Sequence, residues 1–245
     1  MTSFDSRTTL NREEAKAVYD KFALNAQSGG QDTDSGYGGP AVEAMLDMAS
    51  FELASSVLEF GSGQGKLCEL VLSSDREKKL HWRAIDQSPE MVKRFFDRCV
   101  TRFGKGRCSI ELLREGNPSD VKVAPHSVDR FVSTYCLDLL SEDDIYRVLK
   151  LAEYSLDPKS GLILLAGITW GYRASFKTFM MTVVWELLYA FWRKKVGGCR
   201  PQNLAPYLKA QGWRIEKAVK TLPKGYPWMV SEVISARPPL KPSES

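Results

Sequence analysis

The sequence predicts an α/β protein: a seven-stranded, mostly parallel sheet with helices on both faces, an antiparallel last strand and a helical cap. Three observations predict it. From residue 56 onward, short apolar runs alternate with stretches of helical period. The segment 162–168, Leu-Ile-Leu-Leu-Ala-Gly-Ile, is almost continuously apolar, as expected of a strand buried on both faces. A glycine-rich turn, Gly61-Ser62-Gly63-Gln64-Gly65, follows the first of the short runs, where a strand has to turn into a helix.

The elements follow in order. Residues 11–26 place Ala15, Val18, Tyr19, Phe22 and Ala23 at helical spacing. The Gly/Ser/Asp-rich stretch 28–39 reads as a mobile loop. Pro40 then opens a helix with Val42, Met45, Leu46 and Ala49 on one side. Residues 57–60 form the first strand, and Leu67, Leu70 and Val71 mark the helix after it. A second strand, 82–85, ends at Asp86. Ser88-Pro89 caps a helix that carries Met91, Val92, Phe95, Phe96, Cys99 and Val100 and stops at Gly104. Strands are expected at 109–113 and 128–134, with a helix opened by Ser141 and three acids that suit its positive end. After the strand 162–168 comes an aromatic-rich helix, 176–192, then a helix over 203–211 closed by Gly212. Strands 213–221 and 230–236 form an antiparallel pair at the sheet's edge.

The bulk numbers agree with one domain. The chain has 245 residues, 43% hydrophobic and 26% charged, which one doubly wound sheet with covered faces accommodates. We read 1–245 as a single domain, 1–50 as cap helices and mobile loop, and 169–201 as a cap insertion after the fifth strand. Net charge is +4 with a pI near 8.7, and the charges are interspersed, which argues against nucleic acid as a partner. The polar N-terminus lacks a secretory signal's apolar run. Five cysteines, an odd number without a C-x-x-C pair, indicate neither a disulfide framework nor a zinc site; no metal is expected. A cytoplasmic protein is the expectation, and the oligomeric state is left open.

The chemistry is concentrated in Glu59-Phe60-Gly61-Ser62-Gly63-Gln64-Gly65. Glycines permit the tight turn and let a ligand approach the backbone, and the following helix presents free N–H groups to an anion. The spacing is G-x-G-x-G, not the G-x-G-x-x-G of dinucleotide enzymes. Glu59 precedes the first glycine by two residues. Asp86 ends the second strand, where a carboxylate is placed to bind both hydroxyls of a ribose.

Together these features resemble motifs I and II of the class I S-adenosylmethionine-dependent methyltransferases, especially the ubiquinone/menaquinone-biosynthesis-like group, whose domain is Rossmann-like. The likeness runs from about Tyr19 to Ala236. Gly116-Asn117 resembles the third motif, 134–138 falls at the motif IV position, and Tyr19-Asp20-Lys21-Phe22 is similar to the helix that closes over the cofactor. The resemblance implies S-adenosyl-L-methionine as cofactor. Glu59 and the backbone of Gly61, Ser62, Gly63 and Gly65 would hold its methionine part, Asp86 with Gln87 its ribose, and Asn117 its adenine, with Tyr135 completing the set. Plainer roles stay open: Asp86 as a helix-cap residue, Asn117 as a turn-former before Pro118, Glu59 as an acid satisfied by backbone.

The implied reaction is methyl transfer to a small acceptor, with O-, N- or C-methylation unresolved. The acceptor side is expected between the N-terminal helix and 168–201, with Tyr19, Tyr37, Trp170 and Trp185 as its residues. That aromatic and methionine density suits a lipophilic molecule, although a packing cap is an equal reading. Arg193-Lys194-Lys195 would suit anionic headgroups, so peripheral membrane contact is left open. No catalytic base is named: His81 reads as structural, and His126 sits in a loop. Two alternatives are kept. One is a cofactor-binding regulatory or interaction protein without catalysis. The other is an arsenite-type, thiol-dependent methyltransferase using Cys136 and Cys199, which lacks a cysteine before Cys68.

Overall fold

The computed structural model describes residues 39–169, 201–222 and 230–239, with scattered helical residues between 13 and 20 and between 176 and 191. Tyr19, Tyr37, Trp170, Trp185 and Cys199 lie outside the described residues, as does most of the expected loop 28–39.

Seven strands form one sheet in the order β3-β2-β1-β4-β5-β7-β6: β1 Ser56–Phe60, β2 His81–Asp86, β3 Cys108–Leu112, β4 Arg130–Thr134, β5 Leu162–Ile168, β6 Arg214–Thr221 and β7 Ser231–Arg237. The pairs from β3 to β5 are all parallel; β7 runs antiparallel between β5 and β6. The α/β, Rossmann-like class with an antiparallel last strand is therefore observed. The strand order reverses between β1 and β4, which opens a crevice at the carboxyl ends of those two strands. Strand boundaries shift by one or two residues from those expected, most clearly in β3 and β4. β3 begins at Cys108 and stops at Leu112, and β4 begins at Arg130, with Val128 making an isolated bridge to Leu156.

The described helices are α1 Gly39–Ala49, α2 Lys66–Ser74, α3 beginning at Pro89–Phe95, α4 Glu142–Ser155 and α5 Leu204–Ala210. Two cores lie on opposite faces of the sheet. Met45 of α1, Val71 of α2 and Trp82 of β2 share one; Ile145 of α4, Leu208 of α5 and Phe131 of β4 share the other. Trp82, Phe95 and Phe131 are fully buried, and burying side chains of this size contributes about 1.5–3 kcal/mol each. Arg130, buried at the start of β4, donates to the carbonyls of Ala49 and Ser50, satisfying the C-terminal end of α1.

The helix expected over 88–104 is not uniform. Phe96–Val100 is a π-helical segment continued by Thr101–Phe103. The wider turn changes which residues face inward: Cys99 and Val100 are buried while Phe96 is exposed. Leu70 of α2 also departs from its expected core position and is exposed.

Candidate functional site

At the crevice, β1 ends in Phe60 and the chain turns through Gly61, Gly63 and Gly65, all with positive φ. The three glycines serve different ends. A Cβ on Gly61 would lie 2.3 Å from Cys136 Sγ, and one on Gly65 would lie 2.6 Å from Phe95 Cδ2. Those two glycines are required by protein packing. A Cβ on Gly63 would meet no protein atom within 4 Å, so its open side faces the cleft.

Asp86, at the end of β2, fastens this turn. Its Oδ2 accepts from the Gly63 N–H at 2.8 Å and its Oδ1 from the Ser88 N–H at 2.9 Å. Desolvation raises its pKa, and these backbone donors oppose the rise. A carboxylate offers about four lone-pair directions, so acceptor capacity is left for a ligand. Ser88 caps α3 by accepting from the Met91 N–H and donates its hydroxyl to the carboxylate of Asp20. The helical residue Asp20 is thereby held beside Asp86.

Glu59 is buried on β1, one strand over. Its Oε2 accepts from Trp82 Nε1 at 2.9 Å. Burial outweighs that donor and pushes its pKa up to about 8, with the nearby Cys99 and Asp86 adding to the rise. Ser62 Oγ is buried and has no hydrogen-bond partner. Buried polar atoms are normally satisfied, so this hydroxyl is an opening for a ligand atom.

These groups share a cleft of about 850 Å³, lined among others by Glu59, Ser62, Gly63, Asp86, Gln87 and Tyr135. Val42 and Leu46 of α1, Leu70 and Met91 supply apolar wall. That volume accommodates a nucleoside-sized ligand with room beside it.

Tyr135 follows β4 in the left-handed region, φ 50°, which is uncommon for a bulky residue. Its N–H donates to the Ala166 carbonyl at 2.7 Å, and its hydroxyl pairs with Ser231 Oγ at 2.8 Å. Burial pushes the phenol's pKa up to about 12. The residue lines the cleft with its hydroxyl tied to β7.

Asn117 stands apart from the rest. Its amide oxygen accepts from the Ser119 N–H at 3.2 Å, capping the short turn Pro118–Asp120. Leu113 and Gly116 form the cleft wall here. The amide oxygen expected to meet an adenine accepts this bond within its own turn and keeps a second lone pair.

Neither histidine is placed for proton transfer at this cleft. His81 is exposed at the start of β2, at the end of the strands opposite the crevice, and His126 Nδ1 lies 3.0 Å from the Leu156 carbonyl oxygen.

Two features could not be read from the sequence. Cys68, Cys99 and Cys108 are far apart in the chain yet gather beneath the glycine turn. Cys68 and Cys108 sulfurs lie 3.5 Å apart, and Cys99 donates to the Gly65 carbonyl. Asp138, two residues past Cys136, is buried with Oδ1 unpartnered and Oδ2 accepting weakly from the Ile168 N–H at 3.4 Å. Burial pushes its pKa up to about 7. Among the described residues no cluster of metal-binding side chains occurs.

No family model and no curated protein matches the sequence. Solved structures do match in shape. The 4+2 cyclase SpnF superposes with a TM-score of 0.71 at 14% identity, covering 95% of this chain and 98% of its own. A putative methyltransferase from Haloferax volcanii, solved with the Trm112 methyltransferase activator, gives 0.67 at 14%, covering 94% and 100%. A geranyl diphosphate methyltransferase, solved with its diphosphate and sinefungin, gives 0.59 at 11%, covering 80% and 76%. The chain has the class I methyltransferase fold.

Proposed function

We propose that this protein binds S-adenosyl-L-methionine in the cleft at the β1/β4 crevice and transfers its methyl group to a small, lipophilic acceptor. The observation that carries this reading is the arrangement around Gly63: an open glycine face, a carboxylate fastening the turn, an unpartnered buried hydroxyl and a buried glutamic acid. Each matches one part of an amino-acid nucleoside. The solved structures that share the fold include methyltransferases, one of them with the cofactor analogue sinefungin.

When bound, the cofactor supplies a sulfonium-activated methyl group, so the protein's task is alignment and exclusion of water. In this reading the backbone at Gly63 lies against the methionine portion and Ser62 Oγ gains a partner there. Glu59 faces the ammonium group, whose positive charge returns the carboxyl to its ionised form. Asp86 uses its remaining lone pairs for the ribose hydroxyls, with Gln87 at the cleft wall beside it. Tyr135 packs on the side nearer β5 and β7, and the acceptor enters from the segment that follows β5. Tyr19, Tyr37, Trp170 and Trp185 are kept as its proposed contacts, on the sequence argument alone. The apolar walls and the aromatic density of 169–201 are what support a lipophilic acceptor.

A second reading follows from SpnF, a cyclase on the same fold: cofactor binding without methyl transfer. Incubation with S-adenosylmethionine labelled in the methyl group and fractionated cell extract separates the two. Label in an apolar small-molecule or lipid fraction is expected. Bound cofactor with no label transferred to any fraction would replace methyl transfer by the second reading.

A further inference from the structure

We infer that the helical segment after β5 docks this protein on the surface of an anionic lipid bilayer. The inference is independent of the methyl-transfer reading.

Phe176, Met180, Val184, Leu187 and Phe191 are helical and exposed, with Phe176 at 78% and Phe191 at 73%. At about 100° per residue these five positions fall within an arc of about 80°. Tyr189, on the other side of that wheel, is buried against the protein. The helix therefore shows solvent a continuous apolar stripe instead of the scattered apolar residues usual on a soluble surface.

Charge says what covers the stripe. Residues 169–201 contain six cations, Arg173, Lys177, Arg193, Lys194, Lys195 and Arg200, against one acid, Glu186, a net of +5. The whole chain carries +4, so all of its positive balance sits on this segment. A second copy packed through the same segment would bring one net +5 stretch against another. A phosphate backbone would engage the cations but leave five apolar side chains in water. An anionic leaflet satisfies both: the stripe enters the headgroup boundary and the cations meet lipid phosphates and carboxylates. Lys177 and Glu186 interrupt the apolar run 176–192, which suits a helix lying on the surface better than one crossing the bilayer.

The test is flotation of the full chain with vesicles of phosphatidylcholine alone and of phosphatidylcholine mixed with phosphatidylserine. Binding is expected on the mixed vesicles, weaker on the neutral ones, and falling as salt is raised. Leu187→Asp should lower partitioning at least about tenfold, since burying one such side chain is worth that factor or more. Phe191→Asp, at a more exposed position, guards against a folding defect in the first variant. Leu53→Asp, an equally exposed apolar site elsewhere, should bind as the unaltered protein does. Absence of binding to mixed vesicles, or binding that both stripe variants retain, would overturn the inference. So would a dimer in sedimentation velocity that Leu187→Asp dissolves without any vesicle binding.

Discussion

Replacing Gly63 by alanine should separate ligand binding from folding, and replacing Gly65 should reverse the pattern. Both glycines hold positive φ, 53° and 79°, so alanine at either costs about 1–2 kcal/mol of backbone strain. The sites differ in what the new Cβ meets. At Gly63 it meets no protein atom within 4 Å, so strain is the whole folding cost. At Gly65 it would lie 2.6 Å from Phe95 Cδ2 and 2.8 Å from Cys99 Sγ, both on fully buried residues. Overpacking of that kind adds about 1–3 kcal/mol, for a total of about 2–5. Native domains are stable by about 5–15 kcal/mol, so Gly65→Ala is seriously destabilised and Gly63→Ala is not. Urea unfolding reads the stability difference, and calorimetric titration with S-adenosylhomocysteine reads binding. Gly63→Ala should lose at least about tenfold in affinity, about 1.4 kcal/mol, because its Cβ occupies the ligand's space. The reasoning is refuted if Gly63→Ala binds like the unaltered protein, or if it unfolds as readily as Gly65→Ala.

Three further outcomes are expected. Asp86→Ala should weaken S-adenosylhomocysteine by about 1.5–3 kcal/mol, and loss of the ligand's 2′-hydroxyl should cost the variant less affinity than it costs the parent; an equal cost in both would exclude Asp86 as ribose partner. Glu59 has its pKa raised from 4.5 to about 8, so the folded state holds a proton that the unfolded chain releases. The stability it permits is full below about pH 4.5 and falls as pH rises to 8, and Glu59→Gln should flatten that fall in unfolding midpoints. Ligand binding below pH 8 should release a proton as Glu59 ionises, seen as a dependence of calorimetric heat on the buffer. Asp138, raised to about 7, obeys the same sign: Asp138→Asn should be stabilised relative to the parent at pH 8 and close to it at pH 4. Equal differences at both pH values would show that burial does not control its titration.

Much of the architecture was legible because it is written in local patterns. The near-continuous run 162–168 became β5 with every residue buried, and Ser88 and Ser141 cap their helices as their residue types imply. The glycine turn was legible as a turn, but the division of labour among Gly61, Gly63 and Gly65 was not, since it depends on Cys136 and Phe95 arriving from distant elements. Asn117 was ambiguous for a related reason: Asn before Pro favours a local cap as readily as a ligand contact, and the cap seen in the fold is compatible with both. Phe96 fits a helical period in sequence, while the π segment that turns it outward is a change of one hydrogen-bond register. The three gathered thiols and the buried Asp138 leave no local signature. Their proximity comes from sheet register, as in the pairing of Trp82 with Cys108.

The central claim is that the cleft beside Gly63 is built for S-adenosyl-L-methionine. Calorimetric titration of the purified full chain with S-adenosylhomocysteine tests it most directly. The account predicts saturable binding at one site, lost in Gly63→Val while that variant still unfolds cooperatively. No binding by the unaltered protein, or equal affinity in Gly63→Val, would contradict it.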